Sequence, residues 1–170
     1  MTTALTIRDE MPEDEASITK VTIAAFETLQ ISSHTEQFIV RALRSAGVLS
    51  ISLVAERDSH TVGHIAFSPV TISDGTTDWY GLGPVSVHPD YQRQGIGKAL
   101  IETGLAQLKR LNAQGCCLVG HPAYYRKFGF KTTTELSVSG VPPEVFFVLH
   151  LQDAKPRGVV QFHEAFSATS

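Results

Sequence analysis

The chain is poor in several things, and each scarcity narrows what it can be. Only two of its 170 residues are cysteines, Cys116 and Cys117, and they are adjacent. Neighbours on a strand point to opposite faces, so a disulfide between them is not expected and both read as packing residues. There is no Cys-x-x-Cys pair and no His-x-x-x-His pair on a helix, so no metal site is expected. No apolar run approaches the roughly 20 residues that cross a bilayer. Residues 1–9 lack the basic start and apolar stretch of a secretion signal. The expected location is cytoplasmic, without a membrane partner. Basic residues are not in excess either: 14 Lys and Arg stand against 17 Asp and Glu, a net charge of −3. That argues against a nucleic-acid binder, whose footprint is a basic face. Repeats, low-complexity tracts and linkers are missing. What remains, 42% hydrophobic and 18% charged residues, suits one globular domain with a sizeable core.

The informative stretch is 85–100. Val85-Ser86-Val87 ends a buried strand, Pro89 stops the pairing, and from Ile96 the apolar period becomes helical: Ile96, Leu100, Leu108 and Leu111, widened by Ile101 and Leu105. Between them lies Gln92-Arg93-Gln94-Gly95-Ile96-Gly97-Lys98. The first amides of a helix have no intrahelical acceptor and carry the positive end of its dipole. Gly95 and Gly97 let a bulky anion approach the backbone, and Arg93 and Lys98 add charge, which together read as a phosphate cradle. It is not a dinucleotide fingerprint, because the third glycine is replaced by Leu100. It is not a Walker loop, because Ala99 stands where the hydroxyl should be. A plain helix cap is the structural alternative.

These residues resemble the GNAT (GCN5-related) N-acetyltransferases. Residues 92–97 fit the Gln/Arg-x-x-Gly-x-Gly/Ala signature, and the flanking Val-x-Val-His-Pro-x-Tyr and Lys-Ala-Leu-Ile are similar to that family too. Ala123-Tyr124-Tyr125-Arg126-Lys127-Phe128-Gly129-Phe130 resembles its later Tyr-x-x-x-Gly-Phe element. The likeness spans residues 4–151 and is nearest to small bacterial members with a doubled tyrosine.

In chain order, residues 5–8 alternate as a strand, and residues 12–29 read as a helix with Ile18, Val21, Ala25 and Leu29 inward. His34-Thr35-Glu36 opens a second helix that stops at Gly47. Residues 49–56, 61–72 and 79–87 read as an antiparallel meander. Residues 116–119 form a strand parallel to the last of these across the helix. A short helix over 121–127 follows, and residues 130–138 and 144–151 read as closing strands. Two parts are expected: an N-acetyltransferase domain over 4–151, and a tail over 152–170 that packs back through Val159, Val160, Phe162 and Phe166.

The resemblance implies an α/β (α+β) GNAT fold: about seven strands in a mixed sheet, about four helices, and a parallel central pair that splays. It implies acetyl-CoA as cosubstrate, with the pantetheine along Val85, Ser86 and Val87 and the pyrophosphate on Gln92, Arg93, Gln94, Gly95, Ile96, Gly97 and Lys98. Tyr124 and Lys127 would lie beside the coenzyme. It assigns protonation of the leaving thiolate to Tyr125, with Tyr124 as the competing candidate, and direct attack in a ternary complex. A phenol of ordinary pKa near 10 is protonated at rest and suits that task.

The general base is not legible, since residues 79–87 hold no acid or histidine. His34 and Glu36 at the second helix and His64 on the neighbouring strand are candidates for the acceptor pocket, and His121 is a fourth group near it. The expected acceptor is a small-molecule or peptide amine, the state monomeric or homodimeric. Neutralising a lysine-type amine at pH 7 costs roughly 4–5 kcal/mol and an α-amine only about 1 kcal/mol, so a missing base is easier to accept for low-pKa amines. An idle coenzyme-binding module and a toxin acting on aminoacyl-tRNA are the alternatives.

Overall fold

The centre of the sheet is built from short apolar runs buried on both faces, residues 62–68 and 115–118 being buried throughout. The computed structural model describes residues 4–27, 29 and 32–170. The elements are β1 (Thr6–Asp9), α1 (Glu15–Phe26), α2 (Glu36–Ser45), β2 (Ile51–Arg57), β3 (His60–Pro69), β4 (Thr71–Ile72), β5 (Trp79–Val87), α3 (Ile96–Arg110), β6 (Gly115–Val119), α4 (Pro122–Tyr125), β7 (Leu136–Ser137), β8 (Phe146–His150) and β9 (Gly158–Gln161). Strands order as β1-β2-β3-β5-β6-β8 in one sheet and β4-β9-β7 in a second, smaller one. All neighbours in the large sheet are antiparallel except β5 and β6. This mixed sheet with helices on both faces is the α/β arrangement expected from sequence.

One face of the sheet packs on α3, whose Ile96, Leu100, Ile101 and Leu108 are buried against Ile65 and Phe67 of β3. Gly104 carries a helix-propensity cost of order 1 kcal/mol. Its reason is the Phe67 ring, which a Cβ at 104 would meet at 2.2 Å. The other face carries α1 and α2 through Ile18 and Val40 against Val54. Helix α2 ends where Gly47 takes φ +72° and the Val48 N–H reaches back to the Leu43 carbonyl, the six-to-one bond of a Schellman cap.

Several sequence expectations need correction. The strand over 61–72 breaks after Pro69: the Val70 N–H makes a last bond to the Trp79 carbonyl, and Thr71–Ile72 crosses to the small sheet. The strand over 130–138 does not form: Lys131 makes a single bridge to Val148, and Leu136–Ser137 pairs with β9 instead. Between them the Thr133 hydroxyl accepts the Glu135 N–H, a local turn that competes with the sheet. The seven-stranded sheet is therefore six strands plus a separate three-stranded sheet. The first helix starts as a 3-10 turn, Pro12–Asp14, and its α-helical part ends at Phe26. Leu29 is 43% exposed rather than inward, and Thr28 lies outside the described residues. Leu111 caps α3 and is exposed too, because Asn112 at φ +61° turns the chain toward β6.

Candidate active site

The two parallel strands at the centre separate soon after they meet. β5 and β6 pair at Trp79 with Gly115, Tyr80 with Cys116 and Gly81 with Cys117, and no further. Beyond Gly81, β5 stays paired with β3 through Val85, Ser86 and Val87, and β6 stays paired with β8. The register shift of β5 against β3 between Leu82 and Val85 accompanies this parting. The His88 N–H donates to the Val62 carbonyl on β3. Strand alternation therefore turns the N–H and C=O of Val87, and of Val85 before it, toward the open side. There the Gln92 side-chain amide donates to the Val87 carbonyl at 3.2 Å.

The loop after β5 delivers the chain to the start of α3. Arg93 sits at φ +65° and Gly95 at φ +83°. The first backbone bond of the helix runs from the Ala99 N–H to the Gly95 carbonyl. The amides of residues 95–98 precede that bond and present the positive end of a 15-residue helix. Gln92, Arg93, Gln94 and Lys98 are exposed around it, and the Arg57 guanidinium donates to the Gln94 side-chain carbonyl. Free amides, Gly95 and Gly97, and the exposed Arg93 and Lys98 thus lie at one helix start.

The two tyrosines of α4 diverge. His121 caps this helix, its Nδ1 accepting the Ala123 N–H. The Tyr124 hydroxyl points at α3, where a Cβ on Gly97 would meet it at 2.8 Å, and the Lys127 ammonium lies 4.2 Å from the Tyr124 ring centroid. The Tyr125 ring packs on Gly120 and, edge to face, on Tyr124 and Phe130. Burial pushes the Tyr125 phenol up to about 12, with proximity to Tyr124 adding to it, and burial also raises Tyr124. Both hydroxyls are protonated at neutral pH.

Tyr125 lines a cleft of about 360 Å³. Leu82, Pro84 and Val85 of β5 and Val119 of β6 form its side nearest the parting strands. Phe26 of α1 and Ile39 of α2 form a second wall, and Phe162 and Phe166 from the C-terminal segment a third. Glu36 of α2 is the carboxylate on this lining, and it accepts the Ser32 hydroxyl at 2.7–2.8 Å. Of the sequence candidates, Tyr125, Val85 and Glu36 thus share one cavity. His34 is exposed at φ +60° and does not line it.

His64 does not line it either. It is fully buried, with Nε2 at 2.8 Å from the Ser52 hydroxyl. Ser52 gives its one proton to Glu10, which Arg44 grips with two nitrogens, so His64 must be the donor to Ser52 and its Nδ1 is a bare acceptor without a partner among the described residues. Desolvation lowers His64 from 6.5 to about 4; it outweighs the attraction of Glu10, and Arg44 opposes protonation further. The Glu10–His64 approach of 4.0 Å is therefore not an ion pair at neutral pH.

Cys116 and Cys117 are free and buried on opposite faces of β6, and desolvation raises both thiols well above their usual range. Among the described residues no cluster of His, Cys, Asp and Glu could hold a metal ion, and no helix is long and apolar enough to cross a membrane. Phe26, Ile39, Ser32, Phe162 and Phe166 were not singled out as site residues from sequence. The aromatic pair 162 and 166 was the available signal, since a tail has little reason to hold two large rings unless they pack against something.

This geometry has relatives. Residues 49–132 match the family model described as Acetyltransferase (GNAT) domain. The uncharacterized N-acetyltransferase YhbS of Escherichia coli is 33% identical over 168 residues, covering 95% of this chain and 98% of its own. The crystal structure of YhbS in complex with CoA superposes with a TM-score of 0.89 at 31% identity, covering 99% of this chain and 94% of that one. A GNAT family acetyltransferase from Brucella melitensis in complex with acetyl-CoA is 47% identical, with a TM-score of 0.86 and coverage of 96% and 98%. A relative this similar over nearly the whole of both chains, joined to the parted central strands and the glycine-bearing start of α3, settles the family: the chain is a member of the GNAT N-acetyltransferases.

Proposed function

We propose that this acetyltransferase moves the acetyl group of acetyl-CoA to a primary amine by direct attack in a ternary complex, in the cytoplasm, with Tyr125 as the acid. The observation that carries the reading is the divergence of the two tyrosines: Tyr125 faces the cleft where β5 and β6 part, and Tyr124 faces the start of α3.

The residues fit the cosubstrate. The outward-turned backbone of Val85 and Val87, with Ser86 between them, offers a strand edge to the amide-bearing pantetheine arm. The backbone amides over 92–98, with Arg93 and Lys98, offer donors and charge to the pyrophosphate. Tyr124 and Lys127 close that end, the ammonium over the ring.

In the reaction the amine nitrogen bonds to the carbonyl carbon while the Val87 N–H donates to the carbonyl oxygen as charge collects there. The C–S bond then breaks. Tyr125 gives the sulfur its proton, the proton shed by the nitrogen restores the phenol through solvent, and an amide and a thiol leave with no net change in charge. Burial keeps the Tyr125 phenol protonated at neutral pH, so its proton is in place when the sulfur departs. Neither cysteine suits a covalent route, because a thiol this buried is not ionised.

The carrying observation is tested by calorimetry with acetyl-CoA on wild type, Tyr124→Phe and Tyr125→Phe. The reading expects Tyr125→Phe to bind the cosubstrate as wild type does and to lose turnover. If Tyr125→Phe loses the binding and keeps the turnover, the assignment is contradicted.

A further inference from the structure

Two of the cleft's walls do not belong to the parting strands. One is Phe26 with Ile39; the other is Phe162 with Phe166, whose ring centroids stand 5.2 Å apart. The Phe162 ring packs on Gly81 of β5, where a Cβ would come within 2.7 Å of it. Opposite the strands, this space is therefore aromatic and aliphatic. Among the described residues the charge on its lining is the Glu36 carboxylate, and no Lys, Arg or His lines it.

From this we infer the acceptor class: a primary amine of single positive charge, carried on an aromatic or branched aliphatic body, with no carboxylate or phosphate of its own. The inference rests on the acetyl-transfer reading of the same cleft. Three arguments carry it. Apolar walls recognise an apolar body by area removed from water, and flat rings pack well against Phe162 and Phe166. Glu36 has lone pairs to spare after the single Ser32 proton, so it can hold an ammonium at the mouth of an otherwise apolar space. A carboxylate on the acceptor would meet no cation on this lining and would face Glu36, a like-charge approach in a partly dry cleft. Free amino acids are thereby disfavoured, and so are polyamines, whose further charges would lie against the phenylalanines. The cavity is at the small end for ligand sites, which suits a small molecule rather than a folded surface.

Glu36 is thus a specificity-determining residue: it orients the incoming ammonium, whose proton passes to solvent before the nitrogen attacks. Phe162 and Phe166 make the segment that follows β9 part of the acceptor site.

The experiment is a steady-state comparison at saturating acetyl-CoA, reading thiol release and product mass. The acceptors are 2-phenylethylamine, isopentylamine, phenylalanine and spermidine. The expected result is kcat/KM for the two monoamines at least 100-fold above that for phenylalanine and spermidine. Glu36→Gln should raise KM for 2-phenylethylamine more than tenfold and leave the acetyl-CoA-induced melting shift intact, which shows the fold and the coenzyme site preserved. Phe166→Ala should raise KM for 2-phenylethylamine more than for isopentylamine. Phenylalanine or spermidine acetylated as well as the monoamines, or Glu36→Gln without effect on KM, overturns the acceptor class while acetyl transfer itself stands. No acetylated product from any of the four, with acetyl-CoA bound, overturns both the class and the transfer reading beneath it.

Discussion

The Tyr125 ring rests on Gly120 so closely that a Cβ there would come within 2.4 Å of its Cε2. A glycine at the end of β6 therefore decides where the proposed acid stands. Its other neighbour, Leu118, would lie 3.0 Å from that Cβ, so the ring is the group that must move. Gly120→Ala is expected to lower kcat by more than tenfold, because a displacement of about 1 Å can cost up to about 100-fold in rate. KM for acetyl-CoA should change less than threefold. Steady-state kinetics on the variant, with circular dichroism to confirm folding, check this.

The start of α3 gives a binding prediction. Gly97→Asp places a carboxylate where the helix amides would meet phosphate, and its Cβ presses on the Tyr124 hydroxyl. Gly97→Ala applies the same steric pressure without the charge. Calorimetry should show CoA affinity falling more than tenfold further for the aspartate than for the alanine. Equal losses in the two variants would assign the effect to the displaced tyrosine and contradict the anion cradle.

His64 gives a pH prediction for stability. Its folded-state pKa lies below its unfolded one, at about 4 against 6.5, so between these values the unfolded chain binds more protons than the folded one. Stability contributed by the neutral ring is complete above about pH 6.5 and is lost as pH falls toward 4. Between pH 7 and pH 5 the loss amounts to about 2 kcal/mol. Glu10 and Asp14, held below the usual carboxylate range despite burial by Arg44 and Arg8, act in the same direction at lower pH, as each is protonated. Urea unfolding at pH 7 and pH 5 should show the loss in wild type and little of it in His64→Gln. An equal loss in both would place the acid sensitivity elsewhere.

Much of this was legible because local rules decide it. The strand-to-helix change at 85–100 and the glycines within it place α3 to the residue at its start. The Schellman stop at Gly47 and the parting of the central strands follow from sequence and resemblance in the same way. What was not legible depends on contacts distant in sequence. Nothing near Phe162 and Phe166 says that their rings line the cleft beside β5. Nothing near Gly104 says that Phe67 needs its missing side chain. Residues 130–138 contain strand-forming threonines, yet a three-residue turn and a second sheet claim them. His64 alternates correctly as a strand residue, and only the fold buries it on Ser52 rather than at the cleft.

The order of chemical events can be checked without structure. With both substrates varied, initial-rate lines should intersect, as a ternary complex requires. Cys116→Ser and Cys117→Ser should each keep most of the wild-type kcat, since neither thiol ionises in its buried place. Parallel lines together with an acetylated cysteine trapped without amine would make the cysteine the nucleophile.

The central claim is that Tyr125 delivers the proton to the departing sulfur, and one measurement bears on it most directly: kcat as a function of pH for wild type, Tyr124→Phe and Tyr125→Phe on one amine. With its phenol held near 12, wild type should show no falling limb below about pH 10. Tyr125→Phe should lower kcat at least 100-fold at neutral pH with KM for acetyl-CoA nearly unchanged, the mark of an interaction made only in the transition state. Tyr124→Phe should act mainly on KM. If Tyr124→Phe loses kcat and Tyr125→Phe does not, the acid has been placed on the wrong face of α4 and the account of the site is contradicted.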